Sequence, residues 1–261
     1  GCKHDVPNTV TTETKIIAHR GFGLDIDGVE KPRENTLNAC LLGFKTTAGI
    51  EVDVQRTNDH EVFLFHDARV PPCEDFNIIS IGASTKPRVL EQFKCLFPDD
   101  SISHLQDLLL RHEEFKNKDL FIDVKSFFDV ETIFKMPTPQ HYLNLLAQDV
   151  FALIDQHPFP DRLHIETENA VVLNAFKKHY PRVNTWLVSY GDVKTAISRA
   201  FREHYTGLSI KDGSYVDQDV IDEAHEKGLE VAVWVVNERD RLDELVEMRV
   251  DYVQTDSLFT M

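Results

Sequence analysis

The chain has 261 residues, a formal net charge of −16 and 42% hydrophobic residues. That length suits one large α/β domain or two small ones, and the composition is that of a globular enzyme rather than a disordered chain. The acidity argues against a nucleic-acid partner, which needs basic surface to displace counterions, and the longest apolar run, 231–236, is far too short for a transmembrane helix.

The chain opens Gly1-Cys2 and stays polar through residue 14, which reads as a tether ahead of a domain spanning 15–261. Cys2 is a candidate lipid anchor, so an exported or periplasmic lipoprotein is one reading and a cytoplasmic protein the other. Residues 15–19 form a short apolar strand running into Arg20-Gly21. A polar loop follows over 22–33, with Asp25, Asp27 and Glu30, and then a helix over 36–47. Ile50, Val52 and Val54 alternate with Glu51 and Asp53, so 50–54 is a strand whose two acids share a face. A second β run over 62–65 ends at His66. The tract 67–100 has no strong period and reads as an irregular insertion. Beyond it helices over 103–116, 140–156, 168–179, 192–204, 217–227 and 239–247 alternate with strands at 120–125, 163–166, 183–188, 207–210, 229–236 and 252–255.

Such alternation implies parallel strands covered by helices, and a closed (β/α)8 TIM barrel fits the size. Nine β segments are one too many. The gap between 54 and 62 is too short for a parallel crossover but suits a hairpin turning near 58–60. That removes 62–66 from the barrel, leaves eight strands, and sets His66 level with Asp53. The hairpin and the insertion would lie over the C-terminal mouth. Among the four cysteines no metal-ligand spacing occurs; Cys40 reads as a small core residue, and Cys73 and Cys95 could pair in an oxidising compartment.

Barrels of this kind build their sites where the strands end. The polar residues there are His19, Arg20, Glu51, Asp53, Asp123, Lys125, Glu166, Lys211, Trp234 and Asp256, joined by His66 through the hairpin. Buried charges must be paired or bound to a metal. Glu51 and Asp53 repel unless a proton or cation separates them, Asp123 can supply a third carboxylate, and such oxygen-rich ligation suits Mg2+ or Ca2+. The remaining histidines, such as His104, His112 and His225, share no motif and read as surface or capping residues.

His19-Arg20-Gly21, Glu34-Asn35-Thr36, Glu51-Val52-Asp53-Val54, Thr57-Asn58-Asp59 and His66-Asp67 occur in the order in which the chain resembles the glycerophosphodiester phosphodiesterases. Ile122-Asp123-Val124-Lys125, Trp234-Val235-Val236-Asn237 and Thr255-Asp256 continue the resemblance over roughly 15–258. It implies hydrolysis of a small-molecule phosphodiester to glycerol 3-phosphate and an alcohol. His19 and His66 would be general acid and base, Arg20 and Lys125 phosphate ligands, and Glu51, Asp53 and Asp123 ligands of one divalent cation. Imidazole changes charge near neutral pH, so a pair can exchange the two proton-transfer roles. Trp234 would pack against the glycerol or headgroup, or serve the core.

Three departures stand out, the first being the loop 22–33, which is longer than in compact bacterial members. Asp123 occupies a position where the family usually has Glu, and Glu166-Thr167-Glu168-Asn169 replaces a usual Ser-Phe-Asn pattern. Two other functions fit the same residues: a lipid-headgroup phosphodiesterase similar to the spider-venom phospholipase D group, and a barrel retained only for binding.

Overall fold

The computed structural model describes residues 13–22, 32–74, 76–127 and 138–257. Cys2 and most of the acidic loop, with Asp25, Asp27 and Glu30, lie outside the described residues. The strands are β1 (Lys15–Ala18), β2 (Gly49–Arg56), β3 (Val62–Leu64), β4 (Asp119–Val124), β5 (Leu163–Thr167), β6 (Asn184–Ser189), β7 (Gly207–Lys211), β8 (Glu230–Trp234) and β9 (Tyr252–Thr255). Their order is β1-β9-β8-β7-β6-β5-β4-β2, and β2 pairs back onto β1, closing a barrel of eight parallel strands. β3 stands outside the barrel, antiparallel to β2, as the hairpin argument requires. The offset is one residue from that argument. Val54 pairs with Leu64, and Phe65 N donates to Asp53 O at 2.9 Å, so Phe65 rather than His66 is level with Asp53.

Helices cover the outside: α1 (Leu37–Thr46), α2 (Lys86–Leu96), α3 (Leu105–Leu109), α4 (Pro139–Ile154), α5 (Ala170–His179), α6 (Val193–Glu203), α7 (Gln218–Glu226) and α8 (Arg239–Glu247). The apolar residues of each strand's outer face pack on them as one continuous core. Inside the barrel, Ile17, Phe121, Trp186, Ala232 and Tyr252 plug the end where the strands begin. His164 stacks on Phe121 at 4.2 Å and accepts the Trp186 indole N–H at 3.0 Å, which satisfies the one polar atom of the indole.

Two elements differ from the sequence reading. The tract 67–100 contains α2, whose Val89 and Phe93 join Phe63, Val70, Ile79, Ile81 and Ile102 in a second core under the insertion. Pro87 stands in the first turn of α2, where a missing N–H costs nothing. A disulfide between Cys73 and Cys95 ties the insertion to this helix, with a Cα–Cα distance of 6.1 Å. The predicted helix over 103–116 is only α3 and a 3-10 turn at His112–Glu114, because Phe115 leaves the helix to stack on Phe44 at 4.3 Å.

No helix among the described residues is long and apolar enough to cross a membrane. The packing that positions the mouth is close where α1 meets β1 and β2. A Cβ on Gly43 would collide with the carbonyl oxygen of Gly21 and lie 2.7 Å from Ile50 Cγ2. Gly43→Ala is therefore expected to destabilise the fold by about 2–3 kcal/mol, a typical overpacking cost, measured by urea unfolding; a change below about 0.5 kcal/mol would show that α1 is free to move off the barrel.

Candidate active site

The pleat sends alternate side chains of each strand into the barrel, and these inward columns change from apolar to polar along the strand. Ile17 leads to His19, Phe121 to Asp123 and Lys125, His164 to Glu166, and Tyr252 to Gln254 and Asp256. The ladders set the acids side by side, Asp53 opposite Asp123 and Asp123 opposite Glu166. The result is a cavity of about 340 Å³ at the C-terminal ends of the strands, lined by His19, Arg20, Glu51, Asp53, His66, Asp123, Lys125 and Trp234 together with Glu166, Glu168, Tyr190, Lys211 and Gln254. A larger groove of about 670 Å³ lies between α4 and α5 on the outside of the barrel, away from this convergence.

The segment after β1 is held by the barrel's own acids. Arg20 adopts φ 53° and donates its backbone N–H to Glu51 Oε2 at 2.8 Å; Gly21, at φ 86°, donates to Glu51 O at 2.8 Å. A Cβ at Gly21 would meet Cys40 N at 2.9 Å, so both conformation and space call for glycine there. The Arg20 guanidinium uses Nη1 on both oxygens of Glu34 at 3.0 Å, while its buried Nε lies 3.5 Å from Asp53 and makes no hydrogen bond. Asn35 clamps Asp53 reciprocally: Nδ2 donates to Oδ2 at 2.8 Å, and Asp53 N donates to Asn35 Oδ1 at 3.0 Å. Thr36 then caps α1 by accepting from Ala39 N. The three residues of Glu34-Asn35-Thr36 thus hold an arginine, an aspartate and a helix start.

The carboxylates divide into two environments. Asp53 accepts from Lys125 Nζ at 2.9 Å and from Asn35. Burial works to raise its carboxyl, but Lys125, His66, Arg20 and His19 outweigh that and bring it down to about 2. Glu51, Asp123 and Glu166 offer oxygens that all lie within 4.8 Å of one another. Burial, then the neighbouring negative charge, lifts Glu51 well above the ordinary carboxylate range and pushes Glu166 up to about 8. Asp123 is raised by burial and Asp53 despite Lys125 Nζ at 2.5 Å. Of the expected metal trio, Glu51 and Asp123 converge on each other and on Glu166, whereas Asp53 stays outside that group and is bridged to Asp123 by Lys125 Nζ. Three carboxylates this close, two buried and one half-buried, require a proton or a cation between them, and a hard, all-oxygen set on rigid strands fits Mg2+ or Ca2+.

Both histidines are oriented through Nδ1. His19 Nδ1 lies 2.8 Å from Asp256 Oδ1, and its Nε2 lies 3.9 Å from Glu51 Oε2. Asp256 is fixed in turn by Asn237, which donates from Nδ2 at 3.1 Å and accepts Asp256 N at 2.9 Å. His66 Nδ1 lies 2.8 Å from Asp67 Oδ1 at the more open side of the cavity. Its one-residue offset from Asp53 matters little, because alternation turns Phe65 into the insertion's core and His66 toward the cavity. Trp234 lines the same cavity and meets Tyr190 edge-on at 5.5 Å.

Sequence reasoning placed Glu166 at the mouth but gave it no part in the acid cluster, and it overlooked Gln254, whose Nε2 donates to Glu166 Oε1 at 3.0 Å. The usable signals were positional: Glu166 ends its strand at the height of Asp123, and Gln254 precedes Asp256 by the pleat's two residues.

Comparison with known proteins agrees with this geometry. Residues 19–260 match the model of the glycerophosphoryl diester phosphodiesterase family. A Bacillus subtilis (strain 168) protein, YhdW, named for glycerophosphodiester phosphodiesterase activity, is 26% identical over 254 residues, covering 92% of this chain and 93% of its own. A glycerophosphodiester phosphodiesterase from Parabacteroides distasonis ATCC 8503 shares the fold with a TM-score of 0.75 at 20% identity, over 94% of this chain and 93% of that one. An Oleispira antarctica phosphodiesterase, solved in complex with the product sn-glycerol-3-phosphate, does so with a TM-score of 0.74 at 18% identity, over 94% and 93%. With its eight-stranded barrel, its clustered acids and a family match that runs from His19 nearly to the last residue, the chain belongs to the glycerophosphoryl diester phosphodiesterase family and is a phosphoric diester hydrolase of that kind.

Proposed function

We propose that the enzyme hydrolyses glycerophosphodiesters to glycerol 3-phosphate and an alcohol. His19 and His66 are the acid–base pair, Arg20 and Lys125 bind the phosphate, and Glu51, Asp123 and Glu166 hold one divalent cation, Mg2+ or Ca2+, with Asp53 beside them on Lys125. The observation that carries this reading is that two histidines, each held at Nδ1 by a carboxylate, border one cavity with the acid cluster. The glycerol 3-phosphate bound to the Oleispira antarctica relative supports the choice of product.

The cation, when bound, offsets the carboxylates and polarises the phosphoryl oxygens. The protein's own groups do the rest. Arg20 Nε, buried and without a hydrogen-bond partner, donates to a non-bridging phosphoryl oxygen, and Lys125 supplies a second positive charge beside it. One histidine Nε2 takes the proton of the attacking oxygen, of water or of a glycerol hydroxyl, as that oxygen bonds to phosphorus. The other gives a proton to the alkoxide oxygen as the opposite P–O bond breaks. Where the glycerol hydroxyl attacks, water then opens the resulting cyclic phosphate to give glycerol 3-phosphate. Asp256, acceptor for His19 Nδ1, fixes the tautomer that leaves Nε2 free for substrate, which makes it a positioning residue. Trp234 packs against the glycerol or the headgroup. The disulfide between Cys73 and Cys95 supports an exported protein, since such bonds persist in oxidising compartments; a lipid anchor at Cys2 belongs to the same reading.

His19→Ala and His66→Ala are each expected to lower kcat by about 10²–10⁴-fold. Asp256→Asn should lower it less and shift the pH profile, read as glycerol 3-phosphate released from glycerophosphocholine and glycerophosphoethanolamine. Full activity in His19→Ala would remove that residue from the mechanism. A chelator should abolish turnover and Mg2+ or Ca2+ restore it; activity indifferent to both would leave the acids without a cation. Failure to cleave these diesters, glycerophosphoinositol or lysolipids would favour a binding barrel.

The raised carboxyls also predict a pH dependence for the metal-free protein. Glu166 is protonated below its unfolded value of 4.5 in both states, so its burial is unopposed there; as pH rises toward about 8 the unfolded chain ionises first and stability is lost. Thermal unfolding without metal should thus show a Tm that falls between about pH 5 and pH 8. Glu166→Gln should flatten that fall, and an unchanged slope in the variant would show that Glu166 ionises freely in the folded state.

A further inference from the structure

The rim of the cavity between β5 and β8 carries charges that the proposed chemistry does not use. Glu168 follows β5, Tyr190 follows β6, Lys211 ends β7 and Trp234 ends β8, and all four line the cavity. Glu168 and Lys211 are exposed, and neither side chain has a hydrogen bond or ion pair among the described residues. This is unusual for the chain, in which most bases near the mouth are paired: Arg20 with Glu34, Lys125 with Asp53 and Asp123, Arg241 with Asp212. Tyr190 is 55% exposed, and Trp234 meets it edge-on.

The rim is also braced. The Tyr215 hydroxyl lies 2.8 Å from Lys211 O and 3.2 Å from Tyr190 O, and Asp212 N donates to Trp234 O at 2.6 Å. The ends of β6, β7 and β8 are thereby linked behind the side chains that face the cavity. A wall held in this way presents its groups at little ordering cost.

On the reading that the enzyme cleaves glycerophosphodiesters, we infer that this wall is a subsite for a leaving alcohol that carries both an ammonium and a carboxylate, as in the serine diester of glycerol 3-phosphate. Glu168 takes the ammonium, Lys211 takes the carboxylate, and the Tyr190–Trp234 pair covers the carbons between them. A neutral polyol headgroup has use for neither charge. A purely cationic headgroup would meet Lys211 as a like charge. An amino-acid headgroup answers both, and it adds no net charge to a cavity already rich in carboxylates.

The test compares the serine, ethanolamine and glycerol diesters of glycerol 3-phosphate as substrates of the intact protein and of Lys211→Met and Glu168→Gln. Both substitutions are at exposed positions, so folding is not at issue. The intact protein should prefer the serine diester over the ethanolamine diester by about five- to tenfold in kcat/KM, mainly through KM, as a partly exposed charge pair permits. Lys211→Met should erase the serine-over-ethanolamine ratio, and Glu168→Gln should bring the serine diester down toward the glycerol diester. Equal use of the three diesters, or ratios that neither substitution moves, overturns the subsite while leaving the phosphodiesterase reading intact. A uniform loss on all three in Lys211→Met also overturns it, since Lys211 would then serve the phosphate. If no diester is turned over, the hydrolytic reading fails. Calorimetric binding of the serine diester then decides the subsite: binding weakened in Lys211→Met supports it, and none overturns it.

Discussion

The structure turns on negative charge buried in the mouth of a barrel. Glu51, Asp53, Asp123 and Glu166 are inward-facing neighbours on three adjoining strands, held at close range by the ladders and not by flexible loops. Burial alone would drive all four toward the neutral form. Lys125, tied to Asp53 and Asp123, and Arg20, tied to Glu34 and beside Asp53, counter part of that charge. They are not enough for Glu51 and Glu166, whose carboxyls stay raised. An arrangement that leaves charge uncompensated in the folded protein costs stability. It is the kind of departure from local optimality that accompanies sites built to bind or react.

Much of the surrounding architecture serves to keep that cluster rigid. The loop after β1 is fastened to Glu51 by two backbone N–H groups, and Asn35 adds a two-point clamp on Asp53. These contacts need α1 close against the barrel, which is why Gly43 faces the carbonyl of Gly21 with no room for a methyl group. The same economy appears at the other end of the chain. Asn237, just beyond β8, holds Asp256, just beyond β9, and Asp256 holds His19 on β1's end. Barrel closure thus brings the last strand beside the first, and the Asp256 carboxylate after β9 meets the His19 imidazole after β1.

The barrel could be read from the sequence because its signals are local and repeated. Strand-helix alternation, one gap too short for a crossover, and acids spaced by two each follow from backbone geometry. What escaped depends on relations between segments. The placement of His66 rested on a hairpin midpoint, whereas Thr57 N bonding to Glu61 O shifts the pairing by one residue. In α2 the polar residues Lys86, Arg88, Glu91, Gln92 and Lys94 interrupt the apolar ones, so its buried face makes sense only against β3 and the disulfide-tied insertion. Conversely, the apolar content of 103–116 suggested a long helix, but Phe115 is committed to Phe44 rather than to a helical face.

Glu166 is the most instructive of these cases. The family pattern that the chain resembles carries Glu where this chain has Asp123, an arm shorter by one methylene. Across the β4–β5 ladder the residue paired with Asp123 is Glu166, with the longer arm. A strand-by-strand reading sees one weakened ligand and one unexplained acid. The ladder sets the two side by side, and with the shorter arm on β4 and the longer one on β5 the oxygens of Glu51, Asp123 and Glu166 lie within 4.8 Å of one another. Gln254 supports this from a third direction by donating to both Glu166 oxygens at 3.0 and 3.2 Å, so the longer side chain is held rather than free. Charge density at the mouth is therefore set by the register of neighbouring strands, and a motif read along one strand captures only half of it.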